Sequence, residues 1–284
     1  MIENDSGQPP AARNLPSLLS GLHAGRRSCT VSVSGTPGGT IHVRDGLVVA
    51  METPGAPGTE AILLKSGRLT EKSWASVRAT DTTHEHLAKE LVGQGLVGAG
   101  ELEMVSLGAL FDAAFALSLN RQTSWEVGDP VPVLYAGVGV QPERLVAETT
   151  RRFAMLTDEP GSLAAYTRAR IQPTPAAGLP ESVAVLPPRH RDLLAAADGR
   201  RTPRDLAFTL GRGLFAVLLD LRLLLDLQLV HFEAPARPST APRVPGAPTA
   251  TPTAPVPPAT ELPRRLPGRT GRQPTAPDAA ERRP

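Results

Sequence analysis

Cysteine is almost missing from this chain: Cys29 is the only one among 284 residues. A single thiol excludes an internal disulfide framework and any zinc site built from several cysteines. Long hydrophobic runs are missing too. The most apolar stretch, Leu214 to Val230, is interrupted by Asp220, Arg222 and Asp226, and each charge at the centre of a membrane span costs about 2.5–3.5 kcal/mol on insertion scales. Both ends are polar, and no secretory apolar region follows Met1. Together these absences predict a soluble cytoplasmic protein in a reducing compartment, with no membrane partner. Lysine is also rare, at 3 residues against 27 arginines. Beside the many Ala, Gly and Pro, that usage points to a high-GC bacterial genome more than to a nucleic-acid surface.

Catalytic signatures are equally sparse. The sequence holds neither a G-x-S-x-G nucleophile elbow nor a G-x-x-x-x-G-K-[ST] phosphate loop. His84-Glu85-His86 is the one histidine cluster, but residues two apart on a helix point about 200° away from each other and do not readily share a metal. Gly93-Gln-Gly-Leu-Val-Gly98 matches the dinucleotide fingerprint literally. It follows a helical pattern instead of a strand, however, and no acid sits roughly 20 residues on. It reads as a glycine turn joining two helices. Carboxylates occur singly or in helix pairs, with nothing to set two apart as acid and base. The reading is therefore a non-enzyme, with no catalytic, metal-binding or cofactor-binding residue and no cofactor.

What the chain does contain is a strong hairpin. Thr40 to Val43 and Leu47 to Met51 read as strands joined by Asp45-Gly46, a pair suited to the positive φ of a tight primed turn. Ahead of it, Cys29, Val31 and Val33 alternate with polar residues from Ser28 to Ser34, the period of a half-buried strand. This places Cys29 on the apolar side as a packed thiol. Leu15, Leu18, Leu19 and Leu22 mark one face of a short helix. From Thr59 onward the pattern is helical, with Trp74 and Val77 inward, then Leu87 and Leu91, then a stripe of Leu107, Leu110, Phe111, Ala114 and Phe115. Thr123 to Val127 looks like a strand returning to the first sheet. Pro142 opens a helix with Leu145, Phe153 and Leu156 on one face and a Glu148–Arg152 pair on the other.

A second unit follows. Residues 189–197 read as a helix. Thr202-Pro-Arg-Asp205 opens another, with Thr at the N-cap, Pro at the first helical position and an acid in the first turn. Leu214 to Leu227 is a third helix, and Val230 to Phe232 a short strand. The net charge of +2 conceals an asymmetry: residues 235–284 carry +5 and the rest −3. That C-terminal stretch holds 14 prolines, too many, with too little apolar surface, to offset its ordering entropy. The predicted organisation is a disordered segment over 1–13, an α+β module over 14–156, a linker over 157–187, an all-α helix-turn-helix or winged-helix-like unit over 188–233, and a disordered Pro/Arg-rich tail over 234–284.

The run Thr40-Ile-His-Val-Arg-Asp-Gly-Leu-Val-Val-Ala50 followed by Gly58-Thr-Glu-Ala61 resembles the bacterial PATAN-type signalling domain. Phe111-Asp-Ala-Ala-Phe115 through Trp125-Glu-Val127 is similar to that family's closing helix and strand, and Leu145 to Arg152 to the helix that often follows. The helical stretch Trp74–Gly100 is an insertion relative to the family. Asp198 to Gly213 resembles the winged-helix segment attached to such modules in uncharacterised regulators of high-GC Gram-positive bacteria. The resemblance implies a small antiparallel sheet with helices, no catalysis, and signalling through protein contacts. The partner would belong to a small-GTPase or kinase (two-component) system, and a homodimer is possible. The rim Arg44, Asp45, Glu52 and Thr53 is the expected protein-contact site. The alternative is a transcription regulator that meets DNA through Arg200, Arg201, Arg204 and Arg212. The third helix, nearly apolar all round, argues for burial or protein pairing over base reading.

Overall fold

A computed structural model describes residues 14–80, 86–120, 122–156 and 160–233. The segments 1–13 and 234–284, together with His84 and Glu85, lie outside the described residues. The Asp45-Gly46 pair turns the chain with both residues at positive φ, +50° and +78°, and joins β2 (Gly39–Arg44) to β3 (Leu47–Glu52). With β1 (Cys29–Ser34) and β4 (Ser124–Gly128) they form a four-stranded antiparallel sheet in the order β3-β2-β1-β4. A bulge between His42 and Val43 shifts the β2–β3 register by one. Beyond the sheet, α1 (Leu15–Ala24) is capped by Asn14, whose side chain accepts from Ser17 N–H. One face of the sheet, with Val31, Ile41, Val43 and Val48, packs on Leu18 and Leu22 of α1 and on Leu110 and Ala114 of the central helix. Cys29 is buried there, and burial pushes its thiol pKa up.

Among the described residues four helices lie between β3 and β4. They are α2 (Thr59–Lys65), α3 (Glu71–Thr80), α4 (Leu87–Gly93) and α5 (Ala99–Ser118). The glycine-rich stretch after α4 is a turn: Gly95 has φ +67° and Gly98 caps α5. Over its 20 residues α5 passes through the three apolar clusters found among the described residues. Leu102 packs with Leu63, Trp74 and Leu91, Leu110 with the sheet, and Phe115 with the C-terminal helices. A helix stretch apolar all round has to be buried on all sides, as α5 is from Ala109 to Leu117, while its first turns expose Glu101, Glu103 and Met104.

The C-terminal part comprises α6 (Pro142–Leu156), α7 (Pro160–Tyr166), β5 (Arg170–Pro173), α8 (Pro180–Ala184), α9 (Pro188–Ala196), α10 (Pro203–Leu210), α11 (Leu214–Asp226) and β6 (Val230–Glu233). Thr202 and Asp205 form a reciprocal capping box at α10, and Gly211 ends that helix in the left-handed region, φ +61°. The expected linker is not a plain connection. Its residues 170–173 form β5, which pairs antiparallel with β6, and Ile171 exchanges backbone hydrogen bonds with the loop after α9, at Arg201 O and Gly199 N. The short strand read at Val230 to Phe232 is β6, and it pairs back on β5 from the stretch read as linker.

One cluster unites Phe115 and Ala116 of α5 with Leu193, Leu206, Leu214, Leu221 and Leu224. The Phe115 ring lies 5.1 Å from Phe153 of α6 and 5.8 Å from Phe215 of α11. Among the described residues no helix is long and apolar enough to cross a membrane. Leu221→Ala, at a fully buried position, is expected to remove about 2–5 kcal/mol of stability. Both tryptophans lie in the N-terminal half, so their fluorescence should report the same lowered urea midpoint as helical circular dichroism. Separate midpoints would mean that the halves unfold independently.

Candidate functional site

The four residues of the expected rim do not come together. Arg44 and Asp45 lie at the closed end of the hairpin, and Glu52 and Thr53 at its open end, roughly 17 Å away along a six-residue strand. Arg44 is half-buried and donates to Val131 O at 2.6 Å, holding the segment after β4 against the sheet. Asp45 is exposed, and its backbone N–H donates to Ser28 Oγ. Thr53 is buried: its hydroxyl donates to Gly38 O at 2.8 Å and accepts from Gly55 N–H. Of the four, Glu52 and Asp45 are the ones left exposed.

Glu52 and Thr53 instead join a cleft of about 570 Å³ bounded by the end of β3, α2, α3 and residues 132–134. The indole N–H of Trp74 donates to Glu60 Oε1 at 2.6 Å, and the Arg78 guanidinium stands 5.9 Å from the Trp74 ring centroid. Glu71 and Lys65 complete its charged lining. Buried His42 donates from Nε2 to Glu52 Oε2 at 3.3 Å. That hydrogen bond lowers the Glu52 carboxyl pKa below its ordinary range, against an opposing effect of burial. The cleft offers mixed charges over an apolar floor, which suits recognition. Its one buried hydroxyl, Thr53, is already engaged on both sides. No group of three His, Cys, Asp or Glu among the described residues is placed to hold a metal.

The four arginines assigned to DNA also divide. Arg212 donates to Asp220 and to Arg189 O. Asp220 is buried on α11 and also meets His190 Nε2 at 3.1 Å and Arg189 Nε at 3.5 Å. Arg201 donates to Ala196 O at 2.8 Å, closing the end of α9. Arg200 and Arg204 are exposed. The third helix, α11, is packed inward through Leu214, Val217, Leu221 and Leu224. Its outward side shows Ala216, Leu223 and, at the C-cap, Leu227, the two leucines 41 % and 48 % exposed, with Arg222 and Asp226 exposed beside them. Its single arginine, Arg222, donates to Met155 O and Leu156 O at the end of α6.

A buried polar junction went unnoticed in the sequence. Asp112, 5 % exposed in the middle of α5, meets Arg152 Nη1 at 2.5 Å. It also accepts from the backbone N–H groups of Leu214 and Phe215 that open α11. Burial pushes its carboxyl pKa up, against the lowering effect of Arg152 and those N–H groups. Arg152 was expected on the solvent side of α6. It is 11 % exposed, lies 4.7 Å from the Phe215 ring, and pairs with Glu148 at 3.0 Å as well. A lone acid inside an apolar stripe was the available signal, because such a group is kept only when paired. Set against family models, curated proteins and solved structures, the chain matches none of them.

Two outcomes follow from this junction. Asp112→Ala leaves Arg152 with Glu148 but without its buried partner, and α11 without its cap, and is expected to cost about 3–5 kcal/mol in urea denaturation. The Glu148 carboxyl is lowered from 4.5 to about 2, first by the Arg151 hydrogen bond. Its folded pKa lies below the unfolded one, so its contribution is complete above pH 4.5 and is lost as pH falls towards about 2. Glu148→Gln should therefore flatten the fall of the urea midpoint across that window, and an unchanged slope would contradict the assignment.

Proposed function

We propose that the protein is a non-enzymatic adaptor that signals through protein contacts, with the outer face of α11 as its principal docking surface. The observation that carries this reading is the composition of that face. Ala216, Leu223 and Leu227 point outward, the helix's arginine is tied to the end of α6, and Asp226 is the one exposed acid among them. A base-reading helix needs free polar side chains at the groove. This one offers apolar surface of the kind that pairs with another helix or sheet. A PATAN-like signalling module, with a small-GTPase or kinase system as partner, fits this reading, and the cleft beside β3 supplies a second recognition surface. A cytoplasmic location belongs to the same proposal.

The test compares two pairs of substitutions in the full-length chain. Leu223→Asp with Leu227→Asp should abolish stoichiometric capture of a partner from native lysate, with the melting temperature preserved. Arg200→Ala with Arg204→Ala should leave capture intact. The opposite pattern sinks the adaptor reading in favour of a DNA-binding regulator: a duplex gel shift that weakens steeply with salt and disappears with the two arginines. Truncation at Pro235 separates that result from non-specific attraction by the basic tail.

A further inference from the structure

A second cleft, of about 400 Å³, opens where the loops of the N-terminal half meet the C-terminal helices. Its lining comes from loops 35–38 and 54–55, from the end of α5 with Leu119 and Asn120, and from Thr167, Arg168, Arg204 and Leu214. Two guanidinium groups enter this lining and no carboxylate does. Arg151, Arg152 and Arg212 meet acids, namely Glu148, Asp112 and Asp220. Among the described residues Arg168 and Arg204 meet none. Arg168 donates to Asn120 Oδ1, which orients it, and Arg204 stands 5.9 Å from the Phe208 ring centroid. The loops bring Gly35, Gly38 and Gly55 to the cleft beside Thr36, Pro37 and Pro54. A Cβ at Gly38 would come within 2.7 Å of Val33 O, and one at Gly55 within 2.9 Å of the Pro37 ring. Pro37, Pro54, Ala116 and Leu214 supply apolar surface beside the two charges.

We infer that this cleft binds a small anion that presents a phosphate or carboxylate group on a compact apolar body. Each guanidinium offers a planar fork of donors matched to either oxyanion. A concave wall with one sign of charge and no counter-acid concentrates such ligands, and the apolar lining accommodates the rest of the molecule. The anion spans both halves of the fold, because the loops belong to the sheet module and Arg204 lies in the first turn of α10. Binding therefore raises the stability of the whole by mass action. This assignment is independent of the adaptor reading and uses neither Leu223 nor Leu227.

The experiment is thermal denaturation of the full-length protein titrated with sodium phosphate and, in a parallel arm, sodium succinate, each against sodium chloride at equal ionic strength. The expected result is a saturating rise in Tm in at least one arm, and the tighter arm identifies the oxyanion. Arg168→Ala and Arg204→Ala should each weaken the titration about tenfold or more, the loss of one charge-assisted hydrogen bond. Arg204→Lys, which keeps the charge without the fork, should fall between. Both side chains are exposed, so the Tm without ligand should not move, and this separates lost binding from lost folding. No rise beyond that in chloride overturns the inference. So does a rise that survives in the double alanine variant, which would assign the anion to the basic tail.

Discussion

Asp112 is a carboxylate placed where the surrounding helix is apolar on every side, and the position of the C-terminal helices depends on it. Its oxygens are divided between Arg152 of α6 and the N–H groups that begin α11. The N-terminus of a helix carries partial positive charge and unsatisfied donors, so an acid supplied from α5 both caps α11 and fixes where it begins. Gly213 makes this possible, since a Cβ there would collide with Asp112 Oδ2. Around the junction, Phe111 and Phe215 flank the Arg152 guanidinium at 5.6 Å and 4.7 Å. The charged centre is thereby closed from water, and its removal from either side leaves a partner uncompensated.

Much of the local structure was legible because local chemistry decides it. Asp45-Gly46 demanded a primed turn, the alternation from Cys29 to Val33 demanded a half-buried strand, and Thr202, Pro203 and Asp205 demanded a helix start. The mixed α+β class with a small antiparallel sheet followed from these. What stayed hidden depends on distant partners. Arg170 to Pro173 contain an arginine and a proline in a Pro-rich stretch, and they form a strand because Val230 to Glu233 pair with them from across the C-terminal unit. The burial of Asp112 and the inward turn of Arg152 could not be read from either helix alone. The rim residues lie apart for a geometric reason: neighbours along a hairpin's sequence can lie at opposite ends of its strands.

The charge distribution has a similar logic. Arginines near α5, α6 and α11 are held by acids or by helix-terminal carbonyls, as Arg152, Arg212 and Arg222 are. That leaves the exposed side of α11 mainly apolar, with Asp226 at its end, and the cleft near Arg168 and Arg204 cationic. The two surfaces differ in the chemistry they offer, and neither resembles the mixed charges beside Trp74. A scarcity of lysine strengthens this arrangement, because guanidinium groups can sit half-buried against aromatic rings and still keep directional hydrogen bonds.

The passage of α5 through these three apolar clusters also bears on how such a chain can change over generations. Phe115, Phe153 and Phe215 come from three separate helices and share one volume, so a larger ring at one position is tolerated only with a smaller one at another. Asp112 and Arg152 are bound by the same condition in charge, and Gly213 by the same condition in size. Lineages carrying this fold would therefore vary at these positions in concert, and a recombination between α6 and the helices after it would separate residues that have to be inherited together.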